Sequence, residues 1–195
     1  MKTILTLFVL LFSSSVVAED ISDFEIDGIS IGQSLLDFYN INQLNNFRPI
    51  NYPSSDTYIG KEIPENFYNN SSTNYDFISF HYKKNDKKFK IVSLKGLKDY
   101  DDNLQDCLKE KKVVTKQIRE NFSFNNEENY ESDYGKSYGS SIAYISDFIL
   151  NNGRIRIFCA KFDKKNNKAK FWKDTFNVSI SMNVYLKWLN DEAYK

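Results

Sequence analysis

Residues Gly28-Ile29-Ser30-Ile31-Gly32 match the G-x-S-x-G pattern, which exposes a serine nucleophile on a sharp turn between a strand and a helix. The single histidine, His81, would have to act as its base. In the fold that uses this pattern several strands come first, whereas here only a few residues separate Ser30 from the predicted leader, residues 1–18. A glycine-flanked turn with Ser30 or Ser34 near a helix N-terminus explains the same residues. We expect the turn and keep a serine hydrolase as an alternative.

A second run of polar residues, from Asp99 to Asn103, has the oxygen-donor spacing that begins a calcium loop. Leu104 stands where that loop needs glycine, and a helical pattern begins inside the run. We therefore expect Asp101, Asp102 or Asn103 to cap a helix. The histidine and cysteine content is too low for a zinc site. The sequence predicts no metal or cofactor site, and no pair of carboxylates stands out as that of a hydrolase.

Residues 1–18 have the three parts of a secretory signal peptide: a charged start, a short apolar core and a small-residue end. We expect cleavage between Ala18 and Glu19. The apolar core is far shorter than the roughly 20 residues that a membrane-spanning helix needs. Cys107 and Cys159 are the only cysteines, and an exported chain enters an oxidising compartment, so they predict one structural disulfide. Neither lies in a C-x-x-C setting typical of redox-active pairs.

Charge and length restrict the class of protein further. Without the leader the chain has one basic residue fewer than the 26 of each sign in the full sequence, so it is almost neutral. The one basic cluster is the Lys83-Lys84 and Lys87-Lys88 pair of doublets, and no nucleic-acid partner is expected. Residues 19–195 are predicted to form a single domain with its own core.

Hydrophobic periodicity predicts an α+β fold: an antiparallel sheet built from hairpins, with two or three helices packed on one face and a single disulfide. Helical spacing occurs in residues 33–46, 101–121 and 182–192. Alternation occurs in residues 57–63, 75–83, 89–96, 141–162 and 171–181, and the first of these is expected at the sheet edge. Residues 122–139 show no sustained period and are predicted to be a mobile loop. The expected buried side of the last helix is Val184, Tyr185, Trp188 and Leu189.

The hairpin around Asn152-Gly153 is the most strongly specified element, because this dipeptide favours a two-residue turn. That turn predicts the pairs Leu150–Ile155, Phe148–Ile157 and Ser146–Cys159. Cys159 then points into the core, where a helix carrying Cys107 would pack. Phe77-Ile78-Ser79 and Tyr144-Ile145-Ser146 resemble each other, which leaves an internal duplication open.

The opposite face of this hairpin is more apolar than a solvated strand face should be. We interpret it as a partner-binding face, and the alternative is that the terminal helix with Trp188 or the polar loop covers it. The candidate binding residues are Ile145, Asp147, Ile149, Arg156, Phe158 and Phe162.

Four segments together resemble a group of small secreted proteins of streamlined marine alphaproteobacteria that have no established activity. The segments are residues 24–36 (FEIDGISIGQSLL), 82–88 (YKKNDKK), 100–107 (YDDNLQDC) and 188–194 (WLNDEAY). The resemblance implies a bacterial, periplasmic or secreted setting and no particular function.

These observations predict a non-enzymatic periplasmic or secreted module that binds a protein or an envelope component. Two alternatives remain. One is a small secreted hydrolase that uses Ser30 or an unidentified carboxylate pair, and the other is an enzyme-inhibitor-type domain. No membrane span is expected after cleavage of the leader.

Overall fold

Alternating apolar residues build the central element of the fold, an antiparallel sheet. The computed structural model describes residues 20–63 and 74–195, and these two ranges contain ten strands and three α-helices. The elements are β1 (Glu25–Ile26), β2 (Ile29–Ser30), α1 (Ile41–Asn46), β3 (Arg48–Ile50), β4 (Tyr58–Ile63), β5 (Phe77–Lys83), β6 (Ile91–Asp99), α2 (Leu104–Asn121), β7 (Asn126–Asp133), β8 (Ile142–Ile149), β9 (Gly153–Lys161), β10 (Thr175–Met182) and α3 (Asn183–Asp191).

The main sheet has eight strands in the order β3-β4-β5-β6-β10-β9-β8-β7. It consists of two four-stranded meanders, β3–β6 and β7–β10, which join where β6 pairs with β10. A helix precedes each meander, α1 before the first and α2 before the second. The two halves of the sheet thus share a topology. The two similar tripeptides do not lie in equivalent strands, because β5 is third in its meander and β8 is second.

One side of the sheet, which we call the α2 face, carries the main core. Phe80, Ile157 and Val178 project from successive parts of the sheet and are fully buried. The predicted disulfide between Cys107 of α2 and Cys159 of β9 is present, with 6.0 Å between the Cα atoms. Two periodicities, one helical and one alternating, therefore place both sulfur atoms in this core as expected.

The other side, the α3 face, carries the C-terminal helix. Tyr185 and Trp188 of α3 pack there with Tyr52 and Tyr58. The α+β class, the antiparallel sheet and the single disulfide are confirmed. Two helices, α1 and α2, contribute to one core as predicted, and α3 lies on the opposite face.

Helix α2 matches its prediction closely. Asn103 is the N-cap and accepts a hydrogen bond from the backbone N–H of Asp106 at 3.3 Å. Cys107, Thr115 and Ile118 form its buried side. Of the three capping residues considered, Asn103 is the one whose side chain satisfies a free N–H group of the first turn.

The predicted helix over residues 33–46 is wrong in its first half. Ser34 caps a short 3-10 turn by accepting from the N–H of Leu36, and Asn40 caps α1 through a capping box with Gln43. Two capping residues six positions apart end one helical turn and begin another, because their side chains compete with the helical backbone bonds.

The predicted mobile loop over residues 122–139 is also wrong, since it contains strand β7. This strand pairs with β8 along its whole length, from Asn126 opposite Ile149 to Asp133 opposite Ile142. It is the sheet edge, and its side chains are almost all exposed and polar. Polar edge strands lack the apolar alternation that identifies buried strands. Residues 57–63 were expected at the sheet edge, but they contain β4, which is one strand in from the edge. The edge strand on that side of the sheet is β3.

The hairpin register differs from the prediction by two residues. Leu150 donates its N–H to the carbonyl of Gly153 at 2.9 Å, so Asn151 and Asn152 form the turn. Phe148 lies opposite Ile155 and Tyr144 opposite Cys159. A shift of two preserves which face each side chain occupies. The observed pairs are Phe148–Ile155, Ser146–Ile157 and Tyr144–Cys159.

Gly153 is a glycine because another backbone lies against it. It sits inside the sheet beside β10, where a Cβ atom would collide with the carbonyl oxygen of Ser181. The turn preference of the Asn-Gly dipeptide therefore predicted the hairpin correctly and its loop residues wrongly.

The predicted leader, the Ala18–Glu19 cleavage point and residues 64–73 lie outside the described residues. Within residues 20–63 and 74–195, no helix combines the length and apolar composition needed to cross a membrane.

Candidate functional site

A row of directly paired residues crosses the α3 face from one edge of the sheet to the other. Six of its eight members carry a formal charge, which is unusual for a sheet face that also packs a helix. The row consists of Arg48, Glu62, Ser79, Lys95, Ser179, Arg156, Asp147 and Glu128. Lys95 lies at the centre of the row, directly opposite a serine on each neighbouring strand.

Asp147 and Arg156 form the most buried ion pair of this row. Asp147 is 2% exposed, and its two carboxylate oxygens accept from Nε and Nη2 of Arg156, each at 2.7 Å. Arg154 Nη1 lies 3.5 Å from Asp147 Oδ2. Burial opposes the charge of Arg156, but the hydrogen bonds to Asp147 raise its pKa. Two guanidinium groups thus share one carboxylate.

Tyr130 of β7 fixes this pair from the neighbouring strand. Its hydroxyl lies 3.0 Å from Asp147 Oδ2, to which it donates, and it accepts from Arg156 Nη2 at 2.7 Å. Burial raises the pKa of Tyr130, which keeps the hydroxyl proton in place for this bond. The plane of the Arg156 guanidinium is therefore set by two partners.

A surface cavity of about 220 Å³ opens beside this network. Arg156, Phe158 and Ile145 come from β8 and β9, Ser132 comes from β7, and Tyr134 directly follows β7. The cavity joins a fixed cation to an apolar wall. Its lining residues are Ser132, Asp133, Tyr134, Ala143, Ile145, Arg156 and Phe158.

Lys95 adds a second cation near the same wall. Its ammonium nitrogen lies 5.7 Å from the centroid of the Phe158 ring, within the range of a cation–π contact. Burial lowers the pKa of Lys95, and the carboxylate of Glu62 opposes this shift. In the part of the chain that the structure describes, Lys95 forms no ion pair within 4 Å. The ring of Phe158 thus lies beside a cation that forms no close ion pair.

All six predicted binding residues lie on the α3 face. Ile145, Arg156 and Phe158 line the cavity, and Asp147 supports Arg156 from below. Phe162 is buried against Trp172, with ring centroids 4.9 Å apart. Ile149 is half-buried and does not line the cavity. That this face binds a partner stays a prediction.

The terminal helix and residues 122–139 are the two elements that could have covered this face, and they lie over different parts of it. Trp188 packs on Tyr52 and Tyr58 over the other half of the sheet, at 4.9 and 5.0 Å between centroids, and does not line the cavity. The segment expected to be a polar loop does contribute, because β7 places Tyr130 over Asp147. Part of the predicted face is therefore covered, and the cavity is what stays open.

Ser30 and His81 are not brought together as nucleophile and base. His81 Nε2 lies 2.7 Å from the hydroxyl of Tyr52, which in turn lies 3.0 Å from that of Tyr185. Burial lowers the pKa of His81 to about 3. Ser30 is 5% exposed in β2, next to core residues of the α2 face, and its N–H donates to Gln33. Ser30 thus lies in a short strand between two turns, and Ser34 is the serine that caps the following 3-10 turn.

The acidic run from Asp99 to Asn103 is neutralised by lysines. Lys173 pairs with Asp99 and Asp101 at 3.3 and 3.1 Å, and Lys164 pairs with Asp102 at 2.7 Å. Among the residues described, no group of three or more histidine, cysteine, aspartate or glutamate side chains could hold a metal ion. The run works as a helix cap and a set of surface ion pairs.

Sequence reasoning missed Tyr130, Ser132, Tyr134 and Lys95. Tyr130 and Ser132 lie in β7 and Tyr134 directly follows it, and this spacing of two was the available signal for a strand. Lys95 gave no signal, because its place at the centre of the face follows from the pairing of β6 with β10.

Comparisons with models of protein families, with curated proteins and with solved structures find no match for this chain. The resemblance to secreted marine bacterial proteins therefore stays a prediction.

Proposed function

We propose that this chain is an exported, non-catalytic module that binds a protein or an envelope component through the cavity on the α3 face. We call its open rim, formed by Ser132, Tyr134, Ile145, Arg156 and Phe158, the docking patch. The observation that carries the proposal is the Asp147–Arg156–Tyr130 network, which fixes a guanidinium group at the edge of an apolar cavity.

The chemistry of the docking patch supports binding. Arginine and aromatic residues dominate the binding energy of protein interfaces, and they act best where the side chain is already ordered. Arg156 is ordered by two partners, and Phe158 offers an apolar ring beside it. A partner therefore gains contacts without a large cost for ordering these two side chains.

Two further observations favour a non-catalytic exported domain. The single histidine, which a serine hydrolase would need as its base, is hydrogen-bonded to Tyr52 and stays neutral. The buried disulfide supports export, because such bonds persist in oxidising compartments.

The experiment compares what co-purifies with the wild-type protein and with two variants from the envelope fraction of the source organism. Phe158→Asp removes the apolar wall and places a carboxylate near Lys95. Ser132→Arg adds a bulky cation at an exposed position of the rim and does not disturb the core. Each variant is expected to reduce the captured partner about tenfold or more, the effect of losing one interface hot spot.

Ser137→Arg is the matched control, because Ser137 is also exposed but lies outside the cavity. It should capture as much as the wild type. Equal capture by all four proteins, at unchanged thermal stability, would contradict the docking patch.

A further inference from the structure

The turn between β5 and β6 holds an unusual charge. Five of the eight residues from Lys83 to Lys90 are lysines and one is an aspartate, Asp86. All five lysines are exposed. Lys84 pairs with Asp56, whereas Lys83 and Lys90 form no ion pair in the part of the chain that the structure describes. The five lysines outnumber the carboxylates of Asp86 and Asp56, so the turn carries a net positive charge.

Asp86 is the one anion of the turn, and both of its carboxylate oxygens bond to the backbone of the turn. One oxygen accepts the N–H of Lys88 at 2.9 Å, and the other accepts the N–H of Lys90 at 3.0 Å. These backbone hydrogen bonds, the one from Lys88 first, hold the pKa of Asp86 below its usual value. The aspartate fixes the shape of the turn and leaves the lysine ammonium groups available.

A cavity of about 400 Å³ lies directly against this turn, at the end of the sheet away from the acidic run. Its size falls within the roughly 300 to 1,000 Å³ typical of small-molecule sites. Most of its wall is apolar, and the charged lining comes from the turn. The lining residues are Gly32, Tyr58, Lys83, Asp86, Lys90, Ile91, Val92, Met182 and Val184.

Val184 explains why this wall is open. It lies at the start of α3, where the helical pattern predicts a buried residue, yet it is 60% exposed. Tyr185 and Trp188 of the same helix are buried against the sheet, so Val184 points past the end of the core. Val92 and Met182 beside it are only half-buried. The apolar surface lacks a cover in the described chain and adjoins free cationic groups.

We propose that this cavity binds a single-chain anionic amphiphile, with its head group against Lys83 and Lys90 and its chain along Val92, Met182 and Val184. A carboxylate or phosphate head complements the two ammonium groups, and an alkyl chain covers the exposed apolar wall. The site is separate from the docking patch, so each can fail without the other.

The test is calorimetric titration of the full-length mature protein with dodecanoate, kept below its micelle concentration. Saturable binding is expected, and the double variant Lys83→Gln/Lys90→Gln should weaken it at least tenfold. Val184→Asn should weaken it too, because the chain then meets a polar side chain. These positions are exposed, so the variants should keep the wild-type melting temperature.

Lys87→Gln/Lys88→Gln is the matched control, since it removes the same charge from the same turn outside the cavity lining. It should change the affinity less than twofold. Dodecyl maltoside, which has the chain but no charge, should bind at least tenfold more weakly than dodecanoate. Absence of saturable dodecanoate binding, equal effects of the two double variants, or equal binding of the neutral amphiphile would each overturn the proposal.

Discussion

Arg156 and Asp147 face each other across β9 and β8 and share two hydrogen bonds of 2.7 Å, at a position where the carboxylate is 2% exposed. The Arg156 side chain is 27% exposed, so the carboxylate of the pair is buried against the sheet and the guanidinium group reaches solvent. Because the buried carboxylate holds the exposed cation, the geometry of the docking patch depends on a residue that a partner does not reach.

Asp147→Asn should therefore destabilise the fold strongly. The substitution keeps the shape of the side chain but leaves Arg154 and Arg156 without their anion, and breaking one side of a buried pair costs about 3 kcal/mol or more. Urea unfolding measures the loss. Asp191→Asn, which removes an exposed ion pair with Lys187, should leave the unfolding midpoint unchanged. A loss for Asp147→Asn as small as for this control would contradict the account of the pair.

His81 should stay neutral in the folded protein at all ordinary pH values. Burial lowers its pKa to about 3, so its ring resonances should not move between pH 8 and pH 5. Because this is the only histidine in the chain, a proton NMR titration needs no assignment. A transition near pH 6.5 would show that the ring is solvated and that the Tyr52 contact is absent.

The same shift predicts a dependence of folding stability on pH. In the unfolded chain His81 takes up a proton below about pH 6.5, whereas the folded chain resists it down to about pH 3. The stability that the buried, neutral His81 ring contributes to the fold is thus complete above about pH 6.5 and is lost as the pH falls towards 3. The slope is about 1.4 kcal/mol per pH unit inside that window. Urea unfolding of the wild type and of His81→Gln at several pH values measures this contribution of His81, since the variant should lack this slope.

The disulfide should stabilise the fold by restricting the unfolded chain. Cys107 and Cys159 are 52 residues apart, and closing a loop of that length is worth about 4 kcal/mol in the chain-entropy model. The Cys107→Ala/Cys159→Ala variant should lose a stability of this order in urea unfolding, and the reduced wild type should match it. A loss near zero would mean that the packed core alone determines the stability.

Asn103→Ala should reduce the free energy of unfolding by about 1 kcal/mol, the usual cost of losing an N-cap.

Calcium should not bind to the acidic run from Asp99 to Asn103. Adding calcium or a chelator should leave the melting temperature of the wild type unchanged, because Lys164 and Lys173 already pair with the carboxylates. A calcium-dependent rise in melting temperature would restore the metal interpretation.

The elements that the sequence predicted best are those with a strong period and a buried side. Helix α2 and the β8–β9 hairpin both place a cysteine in the core, and the disulfide follows from their two periodicities. Even the two-residue error in the hairpin register was harmless, since it kept Asp147 and Arg156 on the same face.

The elements that the sequence missed are those whose structure depends on distant partners. Strand β7 is stabilised by backbone pairing with β8 and has no apolar face of its own. Val184 belongs to the apolar stripe of α3 and was expected to be buried, but it lies beyond the end of the sheet and is exposed. The grouping of Lys95 with Phe158 depends on the order of the strands, which local periodicity does not encode.

Photo-crosslinking in intact cells of the source organism tests the docking patch most directly. A p-benzoylphenylalanine in place of Phe158 keeps an aromatic side chain at the cavity wall, and the same group in place of Val113 labels an exposed position of α2 as a control. The account predicts a covalent adduct of defined mass from position 158 and none from position 113. Absence of an adduct at position 158, or the same adduct from both positions, would contradict it.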